Sequence, residues 1–214
     1  MSARLVITLP DFDEVTRYFS AWSSIILEEA ERRSYKVIEL ADEKANRERV
    51  ARSLEGKGKL LVVLNGHGGP GAMGGQYNEE ILDLENVDLL NGKVVYARAC
   101  DTAAVLGPQA VERGALAYIG YTIPFAFFID QNSRLRPKDD KLAALFLEPA
   151  NEVPLALLRG QTAHSANIRS RNAFLSTIRK IVLDGPQSSN YYTLSYLYDD
   201  MVNQVCLGDR EATM

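Results

Sequence analysis

Two histidines, at 67 and 164, and two cysteines, at 100 and 206, are the residues of this chain best suited to nucleophilic or metal chemistry. His67 stands in Asn65-Gly66-His67-Gly68-Gly69-Pro70-Gly71, directly after an apolar run over 60–64. Cys100 stands in Arg98-Ala99-Cys100-Asp101-Thr102-Ala103, at the end of an apolar run over 94–99. A thiol becomes a strong nucleophile only as the thiolate, and an adjacent imidazole is a suitable acceptor for its proton. The glycines around His67 let main-chain N–H groups approach a substrate carbonyl with no Cβ in the way. The N–H groups of Gly68 and Cys100 are therefore natural oxyanion donors. Together these residues could activate a thiol against a substrate carbonyl. The plain alternative for Cys100 is a small packed hydrophobe. His164 falls in a helical stretch and reads as a packed or solvated helix residue. Cys206, with no histidine near it in sequence, reads as a packing residue.

Such chemistry needs two strands that end side by side. Residues 4–9 form an apolar, β-branched strand that Pro10 ends. Asp11 followed by Glu14 has the pattern of a capping box. Phe12, Val15, Tyr18, Phe19, Trp22, Ile25, Ile26 and Ala30 then recur at three- and four-residue steps, which predicts one amphipathic helix. A short strand over 37–40 and a helix from Asp42 to Leu54, stopped by Gly56, come next. The runs at 60–64 and 94–99 read as central strands covered on both faces. A helix over 102–113 and a strand over 116–119 follow, and the amino end of that helix would stabilise a thiolate at Cys100. The last third reads as helical: 141–147, then a helix starting at Pro154 and running toward Asn172, then one over 191–205. Alternating strands and helices predict a mostly parallel α/β sheet with ligands bound beyond the strand carboxyl ends. With no internal repeat and no Pro/Gly/Ser-rich linker, 1–214 reads as one domain.

The composition is 46% hydrophobic and 24% charged, which excludes a disordered or fibrous chain. With 24 basic against 28 acidic residues and a net charge of −4, there is no basic surplus to bind nucleic acid or an anionic membrane. No apolar run reaches the roughly 18 residues of a membrane span. The amino-terminal stretch reads as a strand rather than a signal peptide. Two isolated cysteines make no disulfide framework and point to a reducing, cytoplasmic compartment. So few soft ligands argue against a zinc site.

Strand-Asn-Gly-His-Gly followed by strand-Arg-Ala-Cys-Asp-Thr-Ala resembles the caspase-like cysteine peptidases, a clan that includes caspases, metacaspases, gingipains, separases and bacterial CHAT domains. The CHAT branch is the most similar. Its Cys motif is typically Ser-Ala-Cys-Glu-Thr-Gly, and its next strand begins Gly-Ala and leads to a Pro. Here Gly114-Ala115 leads through Tyr118-Ile119-Gly120-Tyr121 to Pro124, and Ala156-Leu157-Leu158-Arg159-Gly160-Gln161 loosely echoes a following helix motif. The resemblance covers roughly 58–165. It implies a caspase-like three-layer sandwich, with a mostly parallel central sheet flanked by helices. It also implies a cysteine endopeptidase with His67 as general base, Cys100 as nucleophile and Gly68 as oxyanion donor. No metal and no cofactor are implied. The partners would be a protein or peptide substrate and a regulatory protein, or else self-cleavage, in bacterial defence or cell death.

Two departures bear on the residue preceding the scissile bond (P1). Where relatives carry acids after that Pro, this chain has Ala126 and Phe127, with Asp130 the nearest acid. Two residues before the Cys, where metacaspases carry Asp and caspases Gln, stands Arg98. Strand alternation puts Arg98 on the same side as Cys100. Arg98 would suit an acidic P1 residue, or be a structural ion pair. Asp101 or Asp130 would suit a basic one, toward which the family leans, although Asp101 also reads as a helix cap.

Three other readings compete. Gly66-His-Gly68-Gly-Pro-Gly71 formally matches the dinucleotide motif G-x-G-x-x-G. That motif needs a helix opening inside it, which Pro70, Gly71, Gly74 and Gly75 oppose. A nucleophile elbow wants small residues where Arg98 and Thr102 stand. A catalytically silent interaction module on the same fold is the third.

Overall fold

The structure, a computed structural model, describes residues 3–56 and 60–214; residue 58, where the resemblance begins, lies outside them. In chain order the early elements are β1 (Arg4–Leu9), α1 (Glu14–Trp22), α2 (Ser24–Arg32), β2 (Lys36–Ala41), α3 (Arg47–Leu54) and β3 (Leu60–Asn65). Three short strands follow: β4 (Gly68–Gly69), β5 (Ala72–Gly74) and β6 (Glu80–Asp83). Then come β7 (Val94–Arg98), α4 (Leu106–Glu112), β8 (Ala117–Tyr121), α5 (Lys141–Leu158), α6 (Ala163–Asp184), α7 (Leu194–Asn203) and β9 (Gln204–Gly208). Among the described residues, β2-β1-β3-β7-β8-β9 form the main sheet. All neighbours are parallel except β8 and β9, and β4-β5-β6 form a small antiparallel sheet.

Residue alternation explains why both faces of the main sheet are covered. Leu5, Ile7, Leu61, Val63, Val94, Tyr96, Ala117 and Ile119 enter one core with Tyr18, Phe19, Trp22, Ile26, Phe146 and Phe174 of α1, α2, α5 and α6. Val6, Val62, Leu64, Val95, Ala97 and Tyr118 enter the other with Val50, Leu54, Met73, Ile81, Leu106 and Ala110. The mostly parallel sheet between helical layers is the expected three-layer α/β arrangement. No helix among the described residues is long and apolar enough to cross a membrane.

Several local expectations differ from what forms. The predicted helix after β1 is two helices. The Ile26 amide turns to Ser23 O (2.9 Å), and the Trp22 carbonyl is taken by the Asn151 side chain (2.9 Å). The cap of α1 is Asp13, not Asp11: Asp13 Oδ1 accepts from Thr16 N (2.8 Å), and Thr16 Oγ1 accepts from Asp13 N (3.1 Å). Residues Asp42–Lys44 form a short 3-10 turn, and Asn46 caps α3. Pro154 does not open a helix. α5 runs through both Pro149 and Pro154, because nearly every side chain from Phe146 to Leu158 is buried and tertiary packing outweighs the two lost hydrogen bonds. The predicted helix over 191–205 ends at Asn203, and the chain continues as β9, antiparallel to β8.

Candidate active site

β3 and β7 are neighbours, and Asn65 is in register with Arg98. His67 and Cys100 each lie two residues beyond that pair, so both leave the same edge of the sheet. The strand tips are tied together by buried side chains. Asn65 Nδ2 donates to Thr8 O (2.7 Å), and Asn65 Oδ1 accepts from Arg98 Nε (3.0 Å) and Nη2 (2.7 Å).

The Gly68 segment then packs directly on Cys100. A Cβ on Gly68 would lie 2.6 Å from Cys100 O and 2.9 Å from the Ala99 Cβ. No side chain fits there, so glycine is required for this approach. Gly74 N donates to His67 O (2.9 Å), and Gly69 pairs with Ala72 across the Pro70–Gly71 turn. Antiparallel alternation turns the intervening Gly68 N–H out of the hairpin ladder. The same glycine-rich segment forms a hairpin, not the opening of a helix, which removes the basis of the dinucleotide reading.

His67 is oriented by a residue that the sequence reading missed. His67 Nε2 lies 2.5 Å from Asp13 Oδ2, while Asp13 Oδ1 caps α1. Both side chains are 35% exposed. Burial alone would raise the Asp13 pKa. Hydrogen bonds from the Thr16 N–H, His67 and the Thr16 hydroxyl hold it below the ordinary carboxylate value. An ionised carboxylate only accepts, so Nε2 carries the hydrogen and Nδ1 keeps its lone pair. The Phe12 ring packs edge-on against the imidazole at 5.9 Å. Asp13 is fixed by its Asp-x-x-Thr cap, but nothing in the linear pattern links it to a histidine 54 residues away.

Cys100 is partly buried, and its thiol donates to Phe125 O at 3.9 Å. Burial raises the thiol's pKa and outweighs a lowering hydrogen bond with the Phe125 main chain, and the charge of Asp101 raises it further. The resting sulfur is therefore protonated. The expected help from a helix amino terminus does not materialise, because α4 starts only at Leu106. Instead the chain turns sharply at Asp101 (φ +57°), and Ala104 N bonds back to Asp101 O (2.9 Å). Asp101 thus caps no helix; it is a partly exposed turn residue next to the thiol.

Two candidate pocket residues are placed elsewhere. Arg98 has no exposed surface. Besides Asn65, it donates to Asn151 Oδ1 (2.8 Å), Phe19 O (2.9 Å) and Ser23 Oγ (3.0 Å), and its guanidinium stacks 4.7 Å over the Phe19 ring. Alternation points it into the helical layer, where its partners are neutral, so it is neither a substrate ligand nor an ion pair. Asp130 Oδ1 accepts from Asn132 N (3.0 Å) in its own turn. It lines a groove with Asn132, Lys141 and Tyr192 that includes neither His67 nor Cys100.

The described cleft at His67 has a volume of about 220 Å³ and is lined by Gly68, Gly69, Ala72, Gly74, Asn78 and Glu80. Behind the Phe125 segment lies another unforeseen acid. Asp200 is 1% exposed. Its Oδ1 accepts from Ala126 N (3.1 Å), and its Oδ2 has no partner. Burial pushes its pKa well above the carboxylate range. Among the described residues no three His, Cys, Asp or Glu side chains gather as a metal site.

The architecture around these residues is the caspase-like fold. The chain is similar to the Arg-specific cysteine proteinase gingipain R (RgpB), with a TM-score of 0.65 and 14% identity over 99% of this chain and 47% of that one. It is also similar to the complex of the Porphyromonas gingivalis RgpB pro- and mature domains, with a TM-score of 0.61 and 14% identity over 98% and 47%. The chain thus spans about half the length of these structures. No protein-family model and no curated protein matches it.

Proposed function

We propose that this protein is a cysteine endopeptidase of CHAT type. The observation that carries the reading is the packing of Gly68 on Cys100 at adjoining strand tips, with Asp13 holding the neighbouring imidazole. Substrate binding brings the scissile carbonyl over Cys100. The thiol proton passes to His67 Nδ1 as Sγ bonds to the carbonyl carbon, and the oxyanion takes the N–H groups of Gly68 and Cys100. The C–N bond then breaks as the imidazolium protonates the leaving amine. Water attacks the thioester, giving its proton to His67, and releases the acid and the free thiol. Because burial favours the thiol over the thiolate, proton transfer belongs to the substrate-bound state.

A basic P1 residue remains the better reading. Arg98 is buried, so the acidic alternative has lost its residue, and the similar gingipain R is described as Arg-specific. Control by a partner segment is supported by the pro- and mature-domain complex of that neighbour. A peptide-library digest tests the reading. Cleavage by the wild-type chain and none by Cys100→Ala or His67→Ala is expected, whereas cleavage surviving in Cys100→Ala would end it.

A further inference from the structure

The small sheet sets one row of residues across its strands. His67 is joined to Gly74 through the Gly74 N–H, and Gly74 is in register with Glu80. The ladder is bulged between Met73 and Gly74, and the His67 and Glu80 side chains both line the cleft above Gly74. Three adjacent strands separate the outer two by about 10 Å. The gap is the 220 Å³ cleft, floored by Gly68, Gly69, Ala72 and Gly74. That is below the size of a small-molecule pocket and suits a single side chain.

The cleft is built rather than incidental. Tyr77 and Asn78 are consecutive non-glycine residues in the left-handed region (φ +53° and +59°). Such strain persists only where surrounding structure holds it. Here the Asn78 carboxamide is held over Gly74, where a Cβ would lie 2.3 Å from Asn78 Oδ1. Arg47 pairs with Asp83, lies 3.8 Å from Glu85 and donates to Glu80 O (3.5 Å); it feels the Glu80 charge but makes no contact with that carboxylate. The Glu80 carboxylate has no ion-pair partner among the described residues.

We infer that this cleft is the subsite for the residue on the leaving-group side of the scissile bond, and that Glu80 selects a cationic side chain there. The inference rests on the peptidase reading. In that chemistry the imidazole gives its proton to the leaving amine, so a cleft lined by His67 but not by Cys100 receives the departing half of the peptide. The cation's charge stays near the rim, opposite Glu80, while its methylene stem crosses the glycine floor.

The test uses peptides identical up to the scissile bond and carrying Lys or norleucine directly after it. The Lys/norleucine ratio of kcat/KM is expected to be about two- to five-fold in the wild type, the range of an exposed ion pair. It should fall to about one in Glu80→Gln and below one in Glu80→Lys. An unchanged ratio in all three proteins would overturn the assignment. A second measurement does not depend on turnover: titration of the His67 ring resonances with Lys-Gly amide and norleucine-Gly amide. Stronger binding of the Lys compound to the wild type, lost in Glu80→Lys, supports the subsite. Equal binding of both compounds rejects it. If no peptide is cleaved but this discrimination is found, the peptidase reading fails and the cationic subsite stands.

Discussion

Replacing Asp13 by Asn separates the two tasks of that side chain. Oδ1 caps α1 and Oδ2 holds His67 Nε2 at 2.5 Å. Asn caps helices about as well as Asp, so only the lost imidazole contact, about 1.5 kcal/mol, lowers stability, and the melting temperature should fall by no more than about 3–6 °C. The imidazole contact changes sign. Either the amide oxygen replaces the carboxylate without its charge, or the NH2 group donates to Nε2 and drives the proton to Nδ1, removing the lone pair that takes the thiol proton. A hydrogen bond to a charged group contributes about 1.5–3 kcal/mol. With both side chains 35% exposed, the low end of that range applies. This corresponds to roughly a ten-fold loss in kcat/KM on the best library peptide. Asp13→Ala should lose the same rate factor and, in addition, about 1 kcal/mol of stability from the missing cap. The sign with pH follows from Asp13 sitting below its ordinary value: its contribution is complete above about pH 4 and disappears as pH falls through the folded pKa. The assay is steady-state cleavage from pH 5 to 9 beside thermal unfolding. Full activity in Asp13→Asn would refute the positioning role. So would a rate loss that merely follows lost stability.

Other perturbations have equally definite outcomes. Gly68→Ala places a Cβ 2.6 Å from Cys100 O. It should cut kcat/KM by about 100-fold or more and cost roughly 1–3 kcal/mol of stability in chemical denaturation; a fully active variant would contradict the close approach. Arg98→Ala strands several buried acceptors, and at roughly 1–3 kcal/mol for each it should unfold most of the protein at 37 °C. A near-wild-type melting curve would contradict the hub. Asp200 has its pKa raised by burial, so the folded state binds a proton that the unfolded state has released above about pH 4. Stability therefore falls as pH rises toward the folded pKa. Asp200→Asn should melt progressively higher relative to wild type from pH 4 to pH 7, and a constant difference would mean that Asp200 does not titrate in that range.

What was legible in the sequence is what burial and strand alternation encode. The runs at Leu60–Asn65 and Val94–Arg98 read as doubly covered strands, whose adjacency only the structure supplies, and the glycines around His67 read as room for main-chain N–H groups to approach a carbonyl. Features set by long-range packing were not legible. The break at Ser23 falls where the Trp22 carbonyl is claimed by the side chain of Asn151, distant in sequence. Arg98 looked like a pocket residue because alternation gives a side, but not which layer covers it. The end of the chain read as helix because its tyrosines mask the switch to β9, which only pairing with β8 defines. Asp13 was invisible as a partner of His67 because the contact joins two loops across the sheet edge.

The most direct measurement is covalent labelling with a peptidyl acyloxymethyl ketone, followed by mass spectrometry of the modified residue. Sulfur attack expels the carboxylate, and the reagent needs a nucleophile activated in the bound complex. Cys206, whose thiol burial pushes up to about 11, serves as the internal reference. The account predicts a single adduct at Cys100, formed at least ten-fold more slowly in His67→Ala. Equal labelling of Cys100 and Cys206, or a Cys100 rate indifferent to His67, would contradict it.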